Sequence, residues 1–205
     1  MYKKMVWKVG LKRRMANKPF TKKTALIFFL LFLVFLSLNS KWLWQLMYPI
    51  KYNDIIYKYS RQFDIDPYLI LSIIQVETRF DEKKISKKGA VGLMQIMPET
   101  AKWIIEKGNF PPQSLEYLSR PEVNIALGSW YLANINQQFQ GNEIYTMAAY
   151  NAGPGNVKKW IEDGIWDGNA ETIDQIPFGE TRHYIQRVLH FYERYQWIYS
   201  FEFDT

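Results

Sequence analysis

An unbroken apolar run, Ala25-Leu26-Ile27-Phe28-Phe29-Leu30-Leu31-Phe32-Leu33-Val34-Phe35-Leu36, constrains this chain more than any other feature. Continued to Met47, the segment is long enough to cross a bilayer, for which about 20 residues are needed. Lys41 interrupts it near one end, where a long stem lets the ammonium snorkel to the interface. Trp42, Trp44 and Tyr48 suit an interfacial aromatic belt. Nine Lys or Arg and no acid occupy residues 1–23. That asymmetry keeps the tail in the cytoplasm and sends residues from about 50 onward to the other side. A cleaved signal peptide needs small residues at its cut site, and Ser37-Leu38-Asn39-Ser40 fits poorly; an uncleaved anchor fits better. The expected organisation is a basic cytoplasmic tail (1–23), a transmembrane anchor (24–47) and one exported domain (50–205). This describes a single-pass protein of the cell membrane with its domain on the extracytoplasmic side.

The net charge of +6 invites a nucleic-acid partner, but its distribution argues against one. Without the tail, 17 basic residues face 20 acidic ones, so the exported part is slightly acidic. There is no Cys, so neither a disulfide framework nor a lipidated cysteine is available.

The exported part reads as mostly α. Asp66-Pro67 is a helix start, with Asp as N-cap and Pro at the first position, and the helix is expected over 67–80. Residues 81–97, with their Lys, Ser and Gly, suit a loop or a short hairpin. Pro98 opens a helix to about Lys107. Pro121 opens a long one to about Gln138, ended by Gly141-Asn142. Further helices are expected over 142–150, 156–163 and from Pro177 to about Tyr199.

Within the first of these helices, Ile70, Ile73, Ile74 and Glu77 recur at i, i+3, i+4 and i+7, which puts a carboxylate on the face expected to be buried. A carboxyl in apolar surroundings is held protonated to higher pH, as a general acid requires. A core Glu paired with Lys or Arg is the competing account. Three later segments bear on the choice. Gly89-Ala90-Val91-Gly92-Leu93-Met94-Gln95-Ile96-Met97-Pro98 sets one amide in an apolar stretch, and Gln offers both a donor and an acceptor to a sugar hydroxyl or N-acetyl group. Ala148-Ala149-Tyr150-Asn151-Ala152-Gly153-Pro154 ends a helix with a phenol and an amide beside a turn. Ile176-Pro177-Phe178-Gly179-Glu180-Thr181-Arg182-His183-Tyr184 places a carboxylate near an Arg and another phenol. Taken singly, each has an ordinary explanation: turns at Gly92 and Gly153, core filling by Met94 and Met97, an ion pair between Glu180 and Arg182.

Taken in order with Glu77-Thr78-Arg79-Phe80, the three segments resemble the lytic transglycosylase family of the soluble-type (SLT) catalytic domain, over about residues 53–195. The resemblance implies a goose-type lysozyme-like fold, mostly α with a small α+β element. It implies that Glu77 is the catalytic acid, with Thr78 standing where the family usually has Ser. It also implies substrate contacts from Ser86, Gln95, Met97, Tyr150, Asn151, Glu180 and Tyr184, and a structural role for Arg182. Neither cofactor nor metal is implied, and His183 and His190, seven apart on one predicted helix, have no acid at ligand spacing. The partners implied are peptidoglycan glycan strands, with the membrane engaged by the N-terminal helix.

Ordinary glycosidases use two carboxylates about 5 Å or about 6.5–9.5 Å apart. A second is hard to place here: Asp81 and Glu82 fall where the helix gives way to a Lys-rich loop, Glu99 sits in the first turn of a new helix, and Glu180 neighbours Arg182. The family's route needs only one. The acid protonates the glycosidic oxygen between N-acetylmuramic acid and N-acetylglucosamine, then as a base activates the C6 hydroxyl, which closes a 1,6-anhydro ring. A hydrolytic muramidase of the same fold and a non-catalytic wall-binding scaffold are the alternatives.

Overall fold

Proline at the first helical position sets the frame of the chain from about residue 50 onward. A residue there needs no N–H, and the fixed φ of Pro suits the helix. Pro67, Pro98, Pro121 and Pro154 each open a helix. The structure, a computed structural model, describes residues 21–38 and 40–200; most of the basic tail lies outside them. In chain order the helices are α1 (Lys22–Leu38), α2 (Lys41–Met47), α3 (Asn53–Phe63), α4 (Pro67–Glu77), α5 (Pro98–Lys107), α6 (Pro121–Gln138), α7 (Glu143–Ala152), α8 (Pro154–Glu162) and α9 (Gly179–Tyr199). The chain divides into two compact units between Leu43 and Trp44.

In the first unit, α1 buries none of its residues. The apolar segment is not the continuous helix expected over 24–47. Among the described residues no single helix is long and apolar enough to cross a membrane; α1 and α2 meet the requirement only as a pair. Ser37 Oγ donates to Val34 O (2.8 Å). Such local side-chain bonds compete with the helical ladder.

In the second unit, α4 is the core. Leu69, Ile70, Leu71, Ile73 and Ile74 are all fully buried, so the helix is enclosed on every side rather than along the one face expected from its spacing. It begins as expected: Asp66 accepts from Tyr68 N (2.7 Å). It packs against α9, which also packs on α7; α6 and α8 flank α7, and α3 lies on α4 and α6. Tyr192 Oη of α9 lies 2.7 Å from Asp66 Oδ2 and 3.0 Å from Glu143 Oε1, joining the starts of α4 and α7. Residues ahead of α3 are packed too. Trp44 meets Trp197 edge-on at 5.9 Å, and Tyr199 Oη donates to Tyr48 O (2.9 Å).

The hairpin considered for 81–97 does not form. Only isolated bridges join Ile85 to Val91 and Val91 to Ile96, and no strand occurs among the described residues. Positive φ at Gly89, Gly92 and Gln95 turns the chain too often for a ladder to extend. The last helix begins at Gly179 rather than Pro177.

Candidate active site

Glu77 is the last residue of α4, so a largely apolar helix delivers one carboxyl to its own end. Burial pushes the Glu77 carboxyl up to about 7. The Tyr184 hydroxyl and the Lys84 and Arg187 charges act in the opposite direction, and Glu180 adds slightly to the rise. Both cations are anchored on the end of α4 itself. Lys84 Nζ donates to Glu77 O (2.5 Å), and Arg187 Nη2 donates to Val76 O (2.9 Å). They cap carbonyls that the helix cannot satisfy and stand at the negative end of its dipole. The Tyr184 hydroxyl is buried without a hydrogen bond of full geometry, yet near enough to Glu77 to favour its ionised form. Burial, followed by the Glu77 charge, pushes the Tyr150 and Tyr184 phenols well up, so both remain hydrogen-bond donors.

The segment 91–95 is clamped from three helices. Thr78 Oγ1 donates to Leu93 O (2.9 Å), Tyr150 Oη donates to Met94 O (2.8 Å), and Asn124 of α6 accepts from Met94 N (2.8 Å). Asn124 Nδ2 also donates to Val91 O (2.9 Å) and Leu118 O (2.8 Å), so the fully buried amide is satisfied throughout. Gly92 is required here: its φ is +74°, and a Cβ would stand 2.5 Å from Asn124 Nδ2. The Thr78 hydroxyl, present where the resembled family has Ser, thus ties α4 to this segment.

The structure gathers Gln95, Met97, Tyr150 and Asn151 around one cleft of about 230 Å³, with Thr100, Tyr131 and the 152–153 turn. Its polar lining differs from expectation. Gln95 Nε2 donates to Gly92 O (2.8 Å) and Lys84 O (3.1 Å), so the side chain offers a ligand an acceptor alone, not a donor and acceptor. Asn151 Oδ1 accepts from Thr181 Oγ1 (2.8 Å), which leaves its amide N–H groups to donate. Met97 stays 39% exposed, in the cleft rather than in the core. Ser86 stands apart, accepting from Ala90 N (2.9 Å) and Lys88 N (3.2 Å) in its own turn. Glu180 and Arg182 are not an ion pair: Arg182 Nη1 donates to Ile176 O (2.5 Å), and Glu180 is exposed in the first turn of α9.

Sequence reasoning missed Lys84, Asn124, Tyr131 and Arg187. Arg187 was within reach of it, because Glu180, Tyr184 and Arg187 follow the i, i+4, i+7 rule of one helix face. Asn124 was a polar residue inside the apolar stretch of α6. Nothing in spacing singles out Lys84.

The comparisons with known proteins agree with this architecture. The transglycosylase SLT domain family matches residues 54–172. The soluble lytic murein transglycosylase of Salmonella typhimurium is 40% identical over 144 residues, which take in 69% of this chain and 22% of that protein. Membrane-bound lytic murein transglycosylase C of Edwardsiella ictaluri is 36% identical over 52% of this chain and 32% of its own length. The 70 kDa soluble lytic transglycosylase of Escherichia coli superposes with a TM-score of 0.72 at 36% identity, covering 77% of this chain and 26% of that one. An inactive glutamate-to-glutamine form of the lytic transglycosylase Slt of Pseudomonas aeruginosa gives 0.71 at 34% identity, covering 80% of this chain and 27% of that one. The chain thus spans about a quarter of the length of these relatives. With the match extending over more than half of the sequence, from α3 to the approach to α9, the chain belongs to the SLT-type lytic transglycosylase domain family.

Proposed function

We infer that this protein is a membrane-anchored peptidoglycan lytic transglycosylase that cleaves the β-1,4 bond between N-acetylmuramic acid and N-acetylglucosamine. The observation that carries the reading is Glu77: a carboxyl held at about 7 by burial, its charge felt by Tyr150 in the wall of an aromatic cleft. A group titrating there can give up a proton and take one back in a single turnover. The names of the relatives fit this reading, as does the inactivity of the Pseudomonas aeruginosa form with one glutamate changed to glutamine.

Protonated Glu77 delivers its proton to the glycosidic oxygen as the C–O bond breaks. The acetamido group of the substrate stabilises the positive charge left at C1. The carboxylate so formed, favoured by Tyr184, Lys84 and Arg187, removes the proton of the C6 hydroxyl, which attacks C1 and closes the 1,6-anhydro ring. Glu77 ends the cycle protonated, and no water enters the product. The Gln95 carbonyl and the Asn151 amide offer one acceptor and one donor, the complement of an N-acetyl group. Ser86, Met97, Tyr150, Glu180 and Tyr184 complete the proposed substrate contacts. The anchor is the apolar segment 24–47, with the domain from about residue 50 outside the cytoplasm.

Digestion of purified peptidoglycan followed by mass spectrometry tests the reaction. Muropeptides ending in anhydromuramic acid are expected. Products heavier by one water, with a free reducing end, would replace this reading with a lysozyme-like hydrolase.

A further inference from the structure

The chain enters the second unit at Trp44, directly from the apolar segment. Residues 44–48 run along the last turns of α9. Trp44 meets the Trp197 ring edge-on at 5.9 Å, and the Arg194 guanidinium lies over the Trp44 ring at 4.7 Å. Tyr48 meets Phe191 and Tyr195 at 6.1 and 6.5 Å. Whatever surrounds Trp44 therefore surrounds the end of α9 as well.

This end of the unit is apolar and open. Leu46 is 71% exposed, Met47 65% and Trp197 42%. An apolar patch left uncovered marks a contact surface. Its chemistry suits one kind of partner. Indole rings settle at the level of lipid headgroups, aliphatic side chains reach the acyl boundary, and an Arg buries its stem while its charge meets lipid phosphate. The apolar segment ends in this same patch, so a bilayer that takes the segment lies next to it. So short a tether makes the contact intramolecular, and a few side chains suffice to hold it.

We propose that Trp197 and Arg194 of α9, together with Leu46 and Met47, rest on the outer surface of the bilayer and fix how the domain stands on it. This depends on the reading of residues 24–47 as a membrane anchor. α4 runs antiparallel to α9: Tyr68 Oη, in the first turn of α4, donates to Tyr199 O (2.7 Å), and Arg187 reaches Val76 O at the other end. At about 1.5 Å per residue, Glu77 then stands up to about 15 Å farther from the bilayer than Pro67. The acid thus works on glycan held clear of the lipid headgroups.

Site-directed fluorescence in vesicles of phosphatidylcholine and phosphatidylglycerol tests it. The chain has no Cys, so Trp197→Cys in the full-length protein carries a single label, and Lys83→Cys, past the other end of α4, carries the reference. Lipids bearing a nitroxide at the headgroup are expected to remove most of the emission at 197 and little at 83. Gln196→Cys, in the same turn, takes the place of Trp197→Cys if circular dichroism shows that variant unfolded. Emission at 197 untouched by the quencher, in protein that floats with the vesicles, overturns the proposal and leaves the anchor standing. Equal quenching at 197 and 83 overturns it as well, because the domain would then lie on its side. Emission that follows protein density at constant quencher assigns the face to a second copy instead. Protein that does not float with the vesicles at all overturns the anchor reading, and the resting surface with it.

Discussion

A carboxyl that titrates at about 7 costs the fold something. In the unfolded chain Glu77 ionises near its ordinary 4.5, while the folded protein keeps the proton to about 7. Between those values the unfolded state loses a proton that the folded state holds, so stability declines with rising pH and levels off above the window. Glu77→Gln removes this liability along with the acid. Parent and variant should melt together near pH 4.5, and the variant should be the more stable at pH 8, by up to about 3 kcal/mol. Its cleavage of peptidoglycan should fall at least about a hundredfold. Equal stability at pH 8 would show that the fold does not hold the carboxyl protonated, and substantial residual cleavage would show that the working acid is another residue. The sequence singled out Glu77 as a candidate, but its environment was only half legible. Spacing marked one buried face, whereas the structure encloses α4 all round and leaves the carboxyl at the end of the helix, between two cations. The chemistry of Gln95 was legible as an amide and illegible as an acceptor, because only the fold shows that its donors are spent on Gly92 and Lys84.

The elements show why some of the fold could be read in advance. Pro98 and Pro121 open α5 and α6 where the sequence marks them, and both helices end where expected, at Lys107 and Gln138. α3 gave no such start: it begins after Tyr52, whose φ is +63° and whose side chain makes no cap bond. Its apolar residues Ile55, Ile56, Tyr59 and Phe63 are the only local cue. The segment 91–95 was least legible, since contacts 15 to 56 residues away determine its shape, through Thr78, Asn124 and Tyr150. Asn124→Leu should remove the partners of Met94 N–H and Leu118 O, while Val91 O keeps the N–H of Ile96, costing about 1–3 kcal/mol. It should also lower kcat for peptidoglycan more than overall folding explains, because Gln95 and Met97 follow the released segment. Chemical denaturation combined with turnover on soluble glycan fragments separates the two effects. Full activity in a destabilised variant would limit Asn124 to folding.

At the scale of the whole molecule, the charge asymmetry and the apolar segment are the features the sequence states most directly, and the structure qualifies the second by breaking it after Leu38. Retention of the segment is checked by sequencing the N-terminus of the mature protein. An intact start is expected, and a start near residue 41 would refute the anchor. Trp44 and Tyr48 are packed on α9, so the folded domain reaches back to Trp44 and includes the end of the segment assigned to the membrane.

The contact of Tyr192 with Asp66 and Glu143 has a consequence that emerges from an inventory of protons. A phenol owns one. If it goes to Asp66, the approach of Glu143 is a hydrogen bond only while Glu143 brings a proton of its own. Burial pushes the Glu143 carboxyl up, against the Tyr192 hydroxyl, which favours its ionised form, and the Asp66 charge adds to the rise. Once Glu143 ionises, the single Tyr192 proton can serve only one of the two carboxylates at a time. Protonation of Glu143 therefore tightens, and its ionisation loosens, the point where α9 joins the starts of α4 and α7.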